Sequence, residues 1–323
     1  MVDANKMKKA LIIGAAGFVG KYLIEELLLD GNIEIVATKL SFEKLEIKQI
    51  QIYDLDILDE KSIALLLKNV QPDYIYHLAA QSSVNMSWKE PGLTVDVNIK
   101  GSINLLEAVR KTASHSRILM VGSSEEYGDI KSEEIPIDEE NLLRPINIYA
   151  VTKACQNMLS KIYAKAYGIN IIQVRAFNHI GPAQSPNFVV SDFCKQVVEI
   201  EKKIHVPIIK TGNLSAVRDF TDVRDVVKAY TKIIQLGTIG ETYNVGSGSS
   251  KSIKEILMLI LSLAKCNIEI KTDSTKMRPI DTKIIEADIS KMYKLLNWRP
   301  QIELETTIQE MLNYWRKSYE ITR

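Results

Sequence analysis

Tyr149-Ala150-Val151-Thr152-Lys153 sets a phenol and an ammonium four residues apart at the start of a predicted helix, so both side chains share one face. A free tyrosine titrates near ~10, too high for ready proton transfer at neutral pH. A neighbouring lysine charge favours the phenolate and is expected to lower that value, fitting the phenol for general acid–base work. A second polar group stands upstream. The segment Val121-Gly122-Ser123-Ser124-Glu125-Glu126-Tyr127-Gly128 closes a predicted strand over 117–123. In a parallel sheet flanked by helices, ligands sit at the carboxyl ends of the strands, so the polar residues of this segment are expected to face the same crevice as the glycine-rich turn near the N-terminus.

A glycine-rich opening must position these groups. Ala10 to Ile13 is a short apolar run that suits a strand buried on both faces, and Gly14, Gly17 and Gly20 follow at G-x-x-G-x-x-G spacing. Lys21 to Leu29 then reads as a helix with leucines on one face, stopped by Asp30-Gly31-Asn32. Strand, glycine turn and helix form the first half of a dinucleotide-binding unit: the backbone turns tightly, approaches a pyrophosphate, and presents helix N–H groups to it.

Downstream, strands are predicted over 33–38, 50–55, 74–79, 117–123 and 169–177, separated by helices over 59–70, 95–112 and 149–167. This alternation predicts an α/β fold with a doubly wound parallel (Rossmann) sheet. Beyond Asn178 the pattern loosens, with loop signals at Gly181-Pro182 and Ser185-Pro186-Asn187. Helices are predicted over about 190–202 and 222–236, a possible strand over 206–210, and a short buried strand over 242–245 that rejoins the sheet. Residues 252–265, 268–272, 288–296 and 306–319 complete a smaller mixed α/β C-terminal part. The expected division is 1–178 (with 222–245 rejoining it) for the dinucleotide, and 179–221 with 246–323 for the substrate.

The whole chain narrows the partners. Its 323 residues can bury a large core, and 41 basic against 40 acidic side chains give nothing that favours nucleic acid or an anionic membrane. Met1 to Lys9 has no signal-peptide apolar core, and Ile256 to Leu263 is too short to span a bilayer. Cys155, Cys194 and Cys266 are scattered and the four histidines do not cluster. No metal and no disulfide is expected, and a cytoplasmic location fits reduced thiols.

Taken together, the glycine turn, Leu78-Ala79-Ala80 after the fourth strand, Asn98 in the next helix, the Ser123 segment and Tyr149/Lys153 resemble the extended short-chain dehydrogenase/reductase family over nearly the whole chain. Three further segments, Gly122 to Gly128, Phe177-Asn178-His179-Ile180-Gly181-Pro182 and Val217-Arg218-Asp219-Phe220-Thr221-Asp222-Val223, are similar to its GDP-4-keto-6-deoxy-D-mannose reductases, which make GDP-D-rhamnose. The resemblance implies hydride transfer from a nicotinamide to C4 of a GDP-linked 4-keto-6-deoxy sugar. Tyr149 would donate the proton, Lys153 would hold the ribose, and Ser123 would bond the carbonyl oxygen.

The same resemblance assigns the cofactor to Gly14, Gly17, Phe18, Val19, Gly20, Asp56, Ile57, Leu78, Ala79, Ala80, Asn98, Tyr149, Lys153 and Phe177. Thr38 and Lys39 end the second strand, where NAD-preferring sites carry an acidic residue; a hydroxyl and a cation suit a 2′-phosphate, so NADPH is expected, with NADH accepted as an alternative. For the substrate, the resemblance implies Asn178, Val189, Lys195, Arg218 and Arg278, the arginines at the diphosphate and ribose.

Other readings stay open at this point. Glu125 occupies the place of the base that removes a C5 proton in GDP-mannose 4,6-dehydratases, whose threonine four before the tyrosine is Ser123 here. A nucleotide-sugar epimerase would share the fold. A non-catalytic dinucleotide sensor is disfavoured because Ser123, Tyr149 and Lys153 are all present. Relatives of this kind pair through the helices holding Asn98 and Lys153, so a homodimer is expected, with Ile103, Leu106, Met158 and Ile162 among the apolar residues on those helices.

Overall fold

The computed structural model describes residues 7–277, 280 and 282–321. Arg278, one of the two expected diphosphate arginines, lies outside them. The chain begins β1 (Lys8–Ile13), α1 (Phe18–Asp30), β2 (Ile33–Lys39), β3 (Gln51–Asp54), α2 (Glu60–Val70), β4 (Tyr74–His77), α3 (Val84–Lys89), α4 (Pro91–Val95) and α5 (Gly101–Thr112). It continues β5 (Arg117–Ser123), α6 (Ile148–Tyr167), β6 (Asn170–Ala176), β7 (Asn178–Ile180), α7 (Val189–Glu201), β8 (Ile208–Thr211), β9 (Val217–Asp222) and α8 (Val223–Leu236). The remainder is β10 (Thr242–Val245), β11 (Ser250–Ser252), α9 (Ile253–Ser262), β12 (Glu269–Thr272), β13 (Ile284–Ile285), α10 (Ser290–Leu296) and α11 (Leu304–Ile321).

Seven strands form one sheet in the order β10-β6-β5-β4-β1-β2-β3, parallel throughout. The order reverses between β1 and β4, which opens a crevice at their carboxyl ends. Apolar residues of α1 and α8 pack on one face with Ile12, Leu119 and Val174, and those of α2 and α5 pack on the other with Leu11, Ile75 and Ile118. The central strands are buried on both faces because helical crossovers cover the sheet, whereas β3, reached from β2 without an intervening helix, is a largely exposed edge. The rejoining strand predicted over 242–245 is β10, paired in register with Gln173 to Ala176 of β6.

Local chemistry explains the element ends that matter for the site. The Asn147 side chain accepts from the Ala150 N–H and starts α6, which fixes where Tyr149 leaves the helix; Gly168, in the left-handed region, ends it. The helix expected as one piece over 95–112 is instead α4 and α5 joined by a π-turn over Asp96–Lys100. The wider turn lets buried Asn98 bond Gln81 in both directions and donate to the Thr152 hydroxyl.

The C-terminal part has its own core of α7, α9 and α11 side chains. It also holds a small sheet not expected from the sequence, in which β9 pairs β7, β11 and β13, while β8 pairs β12. Strands of two to six residues carry too little periodicity to be read locally; their partners are supplied by distant segments. On α6, Met158 and Ile162 are exposed, but Leu106 is fully buried in the layer between α5 and the sheet, so it is not an interface residue of this subunit's surface.

Candidate active site

A cleft of about 460 Å³ runs across the carboxyl ends of β1, β4, β5 and β6. At one end sits the glycine turn. Gly14 has φ +84°, and a Cβ there would lie 2.7 Å from the Ala79 backbone, so only a glycine lets the end of β1 pass the end of β4 this closely. Gly17 is the cap residue of α1 and has no side-chain cap, which leaves the first helical N–H groups, from Phe18 onward, aimed at the cleft. Gly20, Val19, Leu78, Ala79 and Ala80 line the same end, and Asp56 and Ile57 line it farther along.

Three expected side chains meet at the middle of the cleft. Ser123 ends β5, with its hydroxyl oxygen accepting from the Glu125 N–H at 3.2 Å, and its own hydrogen is shared with the neighbouring Tyr149 oxygen. Tyr149 and Lys153 are both nearly buried, at 8% and 4% exposure, yet line the cleft. The Lys153 ammonium donates to the Val121 carbonyl at 2.8 Å and to Gln156 Oε1 at 2.9 Å, which leaves one of its three N–H bonds for a ligand. Burial pushes Lys153 down to about 8, against the pull of Glu126.

The expectation for the phenol is corrected. Burial pushes Tyr149 above its ordinary value, only partly offset by its hydrogen bond to Ser123, and Glu125 and Glu126 push it the same way as burial. Lys153 is turned to Val121 and Gln156 instead of acting on the phenol. Tyr149 therefore holds its proton at neutral pH, the state required of a proton donor.

Other expected residues fall on and off the cleft. Phe177, Asn178, Glu125 and Val189 line it, and so does Lys39, whose ammonium pairs with Asp54 at 2.5 Å. Thr38 does not: it is 1% exposed, accepts from the Gly14 N–H and donates to the Ile12 carbonyl, so it braces the glycine turn from behind. Asn98 is likewise a buried brace rather than a cleft residue. Lys195 points away, paired with Glu199 and lying over the Trp315 ring. Arg218 is 5% exposed within β9 and donates to the Val217 carbonyl; it is not among the lining residues.

The lining also holds polar side chains not expected from the sequence, among them Glu43, His179 and Tyr230. Glu43 accepts from the Leu40 N–H and brings a carboxylate to the Lys39 end. His179 stacks on Phe18 with the rings 4° from parallel, and its Nδ1 donates to the Phe177 carbonyl at 3.2 Å. Burial pushes His179 below its ordinary value, so the ring is neutral with Nε2 as an acceptor. Tyr230 reaches the cleft from α8, its buried hydroxyl without a hydrogen-bond partner among the described residues. The Asn178-His179-Ile180-Gly181-Pro182 run was a usable signal for His179; Glu43 and Tyr230 had none. Among the described residues, no group of three metal-ligating side chains could hold a metal ion, and no helix is long and apolar enough to cross a membrane.

A parallel 3-2-1-4-5-6 sheet core, a glycine turn at its switch point and Ser123, Tyr149 and Lys153 at its carboxyl ends define an extended short-chain dehydrogenase/reductase. Residues 11–311 match the family described as GDP-mannose 4,6 dehydratase, and the chain belongs to that family. It is 28% identical over 308 residues to a GDP-6-deoxy-D-mannose reductase of Pseudomonas aeruginosa, covering 95% of this chain and 97% of that one. It is 30% identical to a UDP-glucuronate 4-epimerase of Thermodesulfobacterium geofontis, covering 97% and 98%. The fold superposes on RMD from Pseudomonas aeruginosa complexed with NADPH at a TM-score of 0.84 and 28% identity, covering 96% and 99%. It also superposes on a Thermus thermophilus UDP-glucose 4-epimerase in complex with NAD at 0.86 and 26%, covering 95% and 99%.

Proposed function

We propose that the protein reduces the C4 keto group of GDP-4-keto-6-deoxy-D-mannose to GDP-D-rhamnose, using NADPH and accepting NADH. The observation that carries a reductase is a proton-bearing Tyr149 hydrogen-bonded to the Ser123 hydroxyl, within one cleft that also holds the glycine turn. The nicotinamide supplies the hydride to C4. Ser123 donates to the carbonyl oxygen, Tyr149 delivers its proton to that oxygen as charge develops, and Lys153 offers its remaining N–H to the ribose. Asn178 and Val189 take the nucleotide-sugar side. The GDP moiety rests on the Pseudomonas aeruginosa relative, whose name carries it.

Glu125 supports one rival. It lines the cleft and its charge reaches Tyr149, although its Oε2 already accepts from Asn147 at 2.9 Å. Purified protein is offered GDP-mannose with NADP⁺ and, separately, GDP-4-keto-6-deoxymannose with NADPH, while reduced-nicotinamide absorbance is followed. Consumption of NADPH with the keto sugar alone is expected, and product NMR then reads the C4 configuration. Conversion of GDP-mannose without net cofactor change would make Glu125 a C5 base and the protein a dehydratase.

The 2′-phosphate is assigned to Lys39, released from Asp54. The facing Glu43 carboxylate suits a 2′-hydroxyl, which is why NADH is accepted too. Lys39→Ala should lower kcat/KM with NADPH by roughly tenfold, the worth of one charge-assisted hydrogen bond, and leave NADH within about twofold. An unchanged NADPH-to-NADH ratio would remove Lys39 from the site. We also assign a homodimer through α6, where Val151, Met158 and Ile162 are half exposed; sedimentation at micromolar concentration reads it, and a monomer would refute it.

A further inference from the structure

Next to Ser123 lies a fully buried ion pair that the chemistry described above does not use. Glu126 is 0% and Arg175 2% exposed, joined at 3.3 Å between Oε2 and Nε. The other carboxylate oxygen, Oε1, accepts from the Ser123 backbone N–H at 2.8 Å. Arg175 is itself held in place: its Nη1 donates to the Tyr127 hydroxyl at 2.9 Å and to the Glu139 carbonyl at 3.0 Å, and its guanidinium lies over the Tyr127 ring. Tyr127 donates onward to Asn244 Oδ1 at 2.7 Å, which ties the pair to β10.

The backbone is shaped around this carboxylate. A Cβ on Gly122 would fall 2.1 Å from Glu126 Oε1, so the residue before Ser123 has to be glycine for the carboxylate to sit there. A surface ion pair needs no such accommodation. A buried pair is also a weak route to stability, because desolvation of two charges offsets most of their attraction. Its location, bonded to the peptide of the carbonyl-binding serine and electrostatically coupled to the lysine of the same site, points to positioning.

We propose that Glu126 is a positioning residue of the active site: clamped by Arg175, it fixes the Ser123 peptide and supplies the buried negative charge that faces the Lys153 ammonium. The proposal rests on the assignment of Ser123, Tyr149 and Lys153 as the reacting groups. Around Glu126 the charged and titratable neighbours are Arg175 on β6, Lys153 and Tyr149 on α6, and Tyr127 next to it in the chain. Around Lys153 they are Glu126 and His77 on β4; His77 is pushed down to about 3 by burial and stays neutral throughout. Glu126 therefore is the acidic group that works against the burial of Lys153.

The sign of the effect follows. Burial lowers Lys153 and Glu126 raises it, so removing the Glu126 charge lowers Lys153 further. NADPH affinity of the full-length protein is measured by fluorescence against pH for wild type and Glu126→Gln. In wild type the affinity should weaken as pH rises through about 8, where Lys153 loses its proton. In Glu126→Gln that midpoint should move down by about one unit, the size expected for loss of a nearby opposite charge. Burial pushes Glu126 up to about 7, so it carries its charge above that pH. The single-turnover hydride-transfer rate of NADPH-saturated protein, read near pH 8 where Glu126 is charged, should fall at least tenfold in Glu126→Gln.

A midpoint that does not move, or a rate within twofold of wild type, overturns the proposal. A residue that only supported the fold would lower the melting temperature without shifting the midpoint. Glu126→Asp serves if the glutamine variant does not fold: it keeps the charge but is one methylene too short for the Ser123 N–H. It should hold the wild-type midpoint and lose rate, and a wild-type rate would overturn the clamp. Failure of wild type to reduce any 4-keto nucleotide sugar would sink the reductase reading alone, since the affinity midpoint needs no sugar.

Discussion

Tyr149→Phe should reduce turnover of the 4-keto sugar by about 10²–10⁴-fold, the usual contribution of one positioned general acid, and leave NADPH affinity within a few-fold of wild type. The phenol is 8% exposed and burial holds its proton on, so the hydroxyl is a donor in waiting while the ring is a wall of the cleft. Phenylalanine keeps the wall and loses the proton. Steady-state kinetics with a parallel fluorescence titration separates the two. Near-normal turnover would transfer the proton-donor role to another group, and a large loss of NADPH affinity would mean that the hydroxyl belongs to cofactor binding.

Gly14→Ala should be severely damaging at the cofactor end. The residue sits at φ +84°, where a side chain costs about 1–2 kcal/mol, and its Cβ would meet the Ala79 nitrogen and Cα at 2.7 Å. Both contacts are backbone, so no rotamer can relieve them; the ends of β1 and β4 must move apart. Those ends carry the glycine turn on one side and the Leu78-Ala79-Ala80 wall on the other. NADPH affinity is expected to fall by more than about tenfold, because the pyrophosphate cradle is defined by this spacing. A lower melting temperature should accompany the loss. An alanine variant with wild-type affinity would show that the turn tolerates displacement and that the phosphates are held elsewhere.

Both changes act on features legible in the sequence. The glycine spacing and the Tyr149/Lys153 pair are local patterns, each contained within seven residues or fewer, and in the fold both line one cleft. The phenol's protonation state is not local. A lysine four residues away predicts a depressed value; in the fold, burial and the carboxylates of Glu125 and Glu126 push it up while the lysine is turned to Val121 and Gln156.

What the amino-acid order determined by itself is the periodic part: the strand and helix alternation up to Phe177, the crevice at the strand ends, and the three side chains that meet in it. Hydrophobic period and glycine placement act over one or two turns, so they survive without knowledge of partners. The tertiary structure alone decided which other side chains face the cleft. It turned Thr38 inward as a brace, carried Lys195 to Trp315, placed Glu43 and Tyr230 on the lining, and assembled β7, β9, β11 and β13 into a sheet. It also set Glu126 against Arg175, 49 residues apart in the chain. Such pairings arise when distant segments pack, and the energy of a buried charge is set by those neighbours rather than by its own position in the chain.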